Sequence, residues 1–249
     1  MFTSWPAYSG SMADAAATPY VGKELDLFAL ADNWKSYIKE EIASYITGEV
    51  LEVGAGIGAT TAALHDGTAR RWVCLEPDAT LAVRLQERVS GDRCASTTSI
   101  IVGSIRTFVE APCFDCILYI DVLEHIEDDR GQIENAAQLV RAGGHIIVLA
   151  PAHRWLFSEF DKSIGHLRRY EKSTLRSLMP SGWIETKLTY LDSFGVFLSL
   201  GNVLALRQAI PTRSQLAIWD RLCVPLSRRV DHLSRGLIGK SVLAVWRKG

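Results

Sequence analysis

The chain has 249 residues, with 27 basic and 28 acidic side chains and a formal net charge of −1, so no global pull draws it to nucleic acid or an anionic membrane. Its length is enough for one large domain with a buried core and an insertion. Five cysteines without framework spacing, and an N-terminus that lacks a basic, apolar leader, speak against a disulfide scaffold or a secretory signal, and a reducing cytoplasm is the expected setting.

Residues 1–22 are rich in Ala, Ser, Gly and Pro and have no sustained period, which predicts an arm that orders only over a ligand; Tyr8, Tyr20, Asp32 and Asn33 are the candidate lid contacts. In NWKSYIKEEIASYI, residues 33–46, Trp34, Tyr37, Ile38, Ile42, Tyr45 and Ile46 share one helical stripe. This predicts an amphipathic helix that caps the first strand, and an organisation into an N-terminal arm and cap (1–47) followed by a main domain (48–249). From residue 48 short apolar strands alternate with helical patterns: EVLEVGA, ATTAALHD, RRWVCLEPD, ATLAVRLQERV, TSIIVGSI, FDCILYIDVLEHI, QIENAAQLVR and GGHIIVLAPA. Such alternation implies β-α-β units with both sheet faces covered. The expected fold is α/β: a doubly wound, Rossmann-like, seven-stranded and mostly parallel sheet. WIETKLTYLD and KSVLAVWRK supply the final strands, the last antiparallel, with a helical insertion before it at about 194–238.

The apolar run at 194–206 is broken by Gly195, Ser199, Gly201 and Asn202 and falls short of the ~20 residues of a membrane helix. No membrane span is expected. The insertion's mixture of apolar and basic positions suits a substrate lid, a dimer face or an interfacial membrane contact, in a monomer or homodimer. Cys113 and Cys116 spell C-x-x-C without a second pair, and read as buried thiols.

The stretch VLEVGAGIGATTAAL (50–64) runs a strand through Gly54, Gly56 and Gly58 into a helix, which lets a backbone approach a ligand closely. Gly54, Gly56 and Ala59 also satisfy the dinucleotide pattern G-x-G-x-x-G/A, so the turn alone leaves a nicotinamide and other adenosine ligands open. Glu52, two residues before the first glycine, is expected to aim at the crevice, where it would repel a pyrophosphate and favour a cation. Glu76, about twenty residues after the turn, stands where a carboxylate accepts two ribose hydroxyls. Local capping of Glu52 and a solvated strand end for Glu76 are the plainer alternatives.

Taken together LEVGAGIG, LEPD, FDCILYIDVLEHIED and LVRAGGHIIVLAPA, spread in order over about residues 48–152, resemble the class I S-adenosylmethionine-dependent methyltransferase family. The resemblance implies S-adenosyl-L-methionine as cofactor, with Gly54, Ala55, Gly56 and Gly58 at its backbone and Glu76 and Pro77 at the ribose. Glu52, Asp121 and Val122 would hold its cationic amino-acid end. Ser104 and Ile105 would border the adenine, and Ser104 stands where many members carry an acid. HRWLFSEFDKSIGHLRRY (153–170) resembles a bacterial subgroup with a G-H-x-R-R-Y pattern, tied to small-molecule, lipid or carbohydrate tailoring.

Methyl transfer is an in-line displacement that requires alignment, desolvation and, for a protonated acceptor, a base. His125 is the candidate base. His153, His166, Arg169 and Tyr170, just beyond the fifth strand, are the candidate substrate contacts. No metal is expected, because the His and Asp residues of that segment lack an i, i+3 or i, i+4 pattern. The expected activity is methylation of a small molecule at nitrogen, oxygen or carbon. Rivals are transfer or cyclisation of the cofactor's aminocarboxypropyl arm, a non-catalytic sensor or scaffold, and a nicotinamide oxidoreductase. Nucleic acid is not an expected partner: no basic stripe is present, and IDVLEH stands where base methyltransferases carry Asn/Asp-Pro-Pro-aromatic.

Overall fold

The computed structural model describes residues 20, 22, 24–91, 94–107, 113–206 and 208–249. Most of the N-terminal arm, Tyr8 included, lies outside them. Strand β1 (Gly48–Val53) shows how the fold is organised: Leu51 and Val53 enter one apolar core, and Val50 enters another on the opposite face. Two cores from one strand require helices on both sides of the sheet. Helix α2 (Asp32–Ile42), preceded by the single turn α1 (Leu25–Phe28), places Trp34, Tyr37, Ile38 and Ile42 in the second core. Helices α3 (Ala59–Leu64) and α4 (Ala79–Ser90) connect β1 to β2 (Ala69–Glu76) and β2 to β3 (Thr98–Val102). Helix α5 (Asp129–Leu139) joins β4 (Phe114–Ile120) to β5 (Val140–Pro151) and covers the first core with Ile133 and Ala136.

Strand order is β3-β2-β1-β4-β5-β7-β6, where β6 is Ile184–Leu191 and β7 is Ser241–Arg247. The pairs within β1–β5 are parallel, and β7 runs antiparallel to both β5 and β6. The seven-stranded architecture matches the one read from the sequence. Strand order reverses between β1 and β4, the switch point outside which open α/β sheets bind ligands.

Between β5 and β6 lie two short helices, α6 (Glu159–Ser163) and α7 (Lys172–Arg176). Between β6 and β7 lie α8 (Ser193–Gly201), α9 (Arg213–Ile218) and α10 (Val224–Ser234), with π-helical turns at Asn202–Leu206 and Trp219–Cys223. Buried aspartates fasten these helices to the body. Helix α2 has no capping side chain of its own, and Asp220 accepts its first free N–H groups from Asn33 (3.2 Å) and Trp34 (2.9 Å). Asp231 accepts from the Tyr37 hydroxyl (3.0 Å) and from the N–H groups of Asp192 and Ser193. The outer faces expose Phe197, Leu204, Leu222, Leu233 and Leu237. Among the described residues no helix is long and apolar enough to cross a membrane. Cys116 is fully buried in β4, and Cys113 partly so.

Candidate active site

A cavity of about 470 Å³ opens outside the C-terminal ends of β1 and β4, within the size range of small-molecule sites. The glycine turn forms one wall. Gly54, Gly56 and Gly58 all have left-handed φ values of 69°, 57° and 76°. A Cβ on Gly54 would lie 2.7 Å from Val122 Cγ2, and one on Gly58 2.5 Å from Leu85 Cδ1, so these two glycines permit packing. A Cβ on Gly56 would meet nothing nearer than Leu25 at 3.9 Å. The space above Gly56 belongs to the cavity.

Glu76 ends β2 behind this turn. Its Oε2 accepts from Gly56 N–H (2.8 Å) and its Oε1 from Asp78 N–H (2.9 Å), and burial raises its carboxyl above the ordinary range. Asp78 also caps α4 through Thr80 and Leu81 and accepts from Tyr20 N–H at 2.8 Å. Tyr20 thereby crosses the cavity mouth, where its hydroxyl bonds Glu24 and its ring stands edge-on to His125 at 5.7 Å.

The floor follows β4. Asp121 has φ 53°, uncommon for a non-glycine residue and typical of functional turns. Its carboxylate is exposed to the cavity, and the protein around the cavity raises it to about 6 by partial desolvation, while His166 and Lys240 pull it back down. A tight helical turn, Leu123–His125, then presents Glu124 and His125. Burial first, and His166 second, lower His125 to about 4, which keeps its ring neutral at neutral pH. The His166 ring lies 4.7 Å away at 78°, with Nδ1 2.8 Å from Asp161 Oδ1 and Nε2 3.6 Å from Glu124 Oε1. Burial would raise Asp161, but His166 and Arg169 outweigh it and hold its carboxyl well below the usual range.

The far side is apolar: Phe28, Trp34, Phe160, Leu198, Leu216 and Trp219 enclose it. At its edge the Lys240 ammonium sits 3.8 Å from the Trp219 ring centroid and 3.7 Å from Asp192 Oδ2, its pKa lowered by burial. Asp192 also accepts from Trp219 Nε1 (2.7 Å) and Ser227 Oγ (2.7 Å), and so fixes the wall.

Residues 51–146 match the family described as Methyltransferase domain. The chain is similar to a solved N-methyltransferase, NodS from Bradyrhizobium japonicum in complex with S-adenosyl-L-homocysteine. That match has 16% identity and a TM-score of 0.58, covering 91% of this chain and 90% of NodS. Residues 51–146 are a methyltransferase domain, and the whole chain shares the fold of these structures. Another similar structure is an S-adenosylmethionine-dependent methyltransferase from Mesorhizobium loti, with 15% identity and a TM-score of 0.59, covering 89% of this chain and 100% of that one. The [4+2]-cyclase SpnF is also similar, at 13% identity and TM-score 0.60 over 86% of this chain and 81% of its own. No curated protein matches the chain.

The structure departs from the sequence expectations at several positions. Glu52 does not face the crevice. It shares the face of Val50, and its Oε2 accepts from Thr61 Oγ1 (2.8 Å) and Trp72 Nε1 (2.8 Å) inside the core behind the turn. Burial among neutral donors raises its carboxyl to about 7. His153 and Tyr170 also miss the cavity. His153 places Nδ1 3.1 Å from Glu171 Oε2 and its ring 4.6 Å from Tyr190. The Tyr170 hydroxyl donates to Asp129 Oδ2 at 2.8 Å. Ala152 bridges to Tyr170, and the resulting alternation turns Tyr170 into the core and Arg169 toward the cavity.

Of the four expected substrate contacts only His166 and Arg169 line the cavity, and Arg169 is held bidentately by Asp161 at 2.8 and 2.9 Å. Ile105 belongs to the sheet core, Val122 packs against Gly54, and Ser104 and Pro77 are exposed outside the cavity wall. Ala55 lines the cavity. Glu124, Lys240, Phe160 and Trp219 were not singled out from the sequence. Only Glu124 carried a local cue, in the D-x-x-E-H spacing of Asp121, Glu124 and His125.

Proposed function

We propose that the protein transfers the methyl group of S-adenosylmethionine to a small-molecule acceptor held under the helical insertion. The observation that carries this reading is that one cavity joins a glycine-walled, acid-edged side to an apolar, aromatic side. The first side fits the cofactor: Gly56 leaves the space a Cβ would fill, Asp121 faces the cationic amino-acid end, and Glu76, buried behind Gly56 and outside the cavity lining, keeps carboxylate lone pairs that the ribose hydroxyls would reach beside the turn. Ala55, Gly54 and Gly58 shape the turn, and Val122 backs Gly54. Glu52 supports the turn from behind through Thr61 rather than touching the cofactor.

When bound, the cofactor supplies an electrophilic methyl group on a sulfonium. The chain's own part is to exclude water with Phe160, Leu216 and Trp219, and to align the acceptor against the floor. His125, neutral at physiological pH, and Glu124 lie where the acceptor atom would rest. The aromatic and aliphatic lining beneath the insertion supports a small acceptor with an apolar portion.

The test is to incubate the protein with S-adenosylmethionine, alone and with pooled cellular small molecules, and identify the adenosine product by mass. S-adenosylhomocysteine formed only with the pool is the expected result. Methylthioadenosine above the spontaneous background would overturn the proposal in favour of aminocarboxypropyl chemistry, and cofactor binding without either product would point to a sensor.

A further inference from the structure

We propose that Glu124, His125 and His166 form a binding site for a divalent transition-metal cation at the floor of the cavity. One ligand atom from each residue lies within 4.8 Å of the others. Glu124 and His125 come from the turn after β4, and His166 from the loop after α6. The Leu167 N–H bond to the Glu124 carbonyl, at 2.9 Å, clips the two segments together. Spacing within residues 153–170 suggested no metal because the ligand set is divided between two segments.

Four observations support a cation here rather than a hydrogen-bond network. First, Glu124 is 0% exposed and neither carboxylate oxygen has a hydrogen-bond partner. A carboxyl buried in that state keeps its proton or takes a positive occupant, and a cation is the occupant that also uses the two imidazoles beside it. Second, His166 Nδ1 is 2.8 Å from Asp161 Oδ1, which orients the ring so that Nε2, on the opposite edge, is the atom turned to the cluster. His125 likewise turns one ring nitrogen to the cluster.

Third, His166 Nε2 and Glu124 Oε1 are 3.6 Å apart, too far for a hydrogen bond. Two ligand atoms at about 2.1 Å from one tetrahedral ion stand about 3.4 Å from each other. Fourth, Asp161 is itself locked by Arg169 and by Ser158 N–H (2.8 Å) and Oγ (3.0 Å). A carboxylate that orients a ligating imidazole, with its own supports, is the outer arrangement of metal sites.

Two imidazoles and one carboxylate suit zinc, cobalt, manganese or iron(II) better than magnesium or calcium, whose preferred ligands are oxygens. The cluster faces the cavity, so the ion keeps open positions there. They suit an oxygen of the acceptor, with Asp121 alongside. That role rests on the methyl-transfer reading, whereas cation binding does not.

The test uses the full chain after chelator treatment, titrated with Co²⁺ alone in the absence of cofactor and followed by visible absorption and calorimetry. The expected result is one saturating equivalent with d–d bands of nitrogen and oxygen ligation. Affinity should fall at least tenfold in Glu124→Gln and in His166→Gln, and stay unchanged in His232→Gln, whose histidine is exposed on α10. Circular dichroism checks each variant's fold, and His125→Gln replaces either one that fails to fold. Absence of saturable uptake, or uptake equal in the wild type and the cavity variants, would overturn the proposal. Cobalt binding combined with no methylated product would leave the site standing and remove the methyl-transfer reading.

Discussion

Glu52→Gln should make the folding stability of this protein less sensitive to pH. In the native chain the Glu52 carboxyl lies in the core behind the glycine turn, hydrogen-bonded only by neutral side chains, with burial raising it from 4.5 to about 7. Between those pH values the folded chain keeps this proton and the unfolded chain releases it. Stability therefore falls as pH rises from about 4.5 to about 7, and levels off above the folded value. At about 1.4 kcal/mol per pH unit, the loss across this window is about 3 kcal/mol from Glu52 alone. Glutamine keeps an acceptor for Thr61 and Trp72 and never ionises. Urea unfolding of both proteins at pH 5 and pH 8, without ligand, gives the comparison, because the contributions of the other acids cancel in the difference. The variant should gain about 3 kcal/mol on the wild type between the two conditions. A stability difference independent of pH would refute the argument that Glu52 is held as a buried acid.

Glu76→Ala should weaken S-adenosylmethionine binding by about 1–3 kcal/mol, measured by calorimetry, as expected for loss of hydrogen bonds to a charged group. Gly56→Ala should preserve the fold at a modest cost of about 1 kcal/mol for its left-handed φ, yet reduce cofactor affinity, since its Cβ projects into the cavity. Gly58→Ala, whose Cβ would meet Leu85, should instead lower the melting temperature, so the two glycines separate by readout. Asp220→Ala should cost about 1–3 kcal/mol in thermal unfolding by leaving the N–H groups at the start of α2 unsatisfied.

The sheet was legible because its information is local. Apolar strands alternating with helical periods specify β-α-β units, and Gly54, Gly56 and Gly58 mark the turn at which the first strand meets its helix. Where a side chain points was harder to read. In β1 both faces are buried, so no apolar–polar alternation reveals which face Glu52 takes. The same held for residues 168–170, where a bridge to Ala152 decides that Arg169 and not Tyr170 turns to the cavity.

By itself the sequence determined the α/β architecture, the antiparallel return of β7 and the nucleotide-type turn, because each rests on periodicity or on backbone freedom within a few residues. The tertiary structure decided the meeting of distant segments. Lys240 reaches the cavity from the start of β7, Asp220 caps a helix far upstream of it, and His166 arrives beside Glu124 through a loop. Those contacts depend on how elements pack in three dimensions, and no spacing along the chain encodes the distance between side chains on different segments.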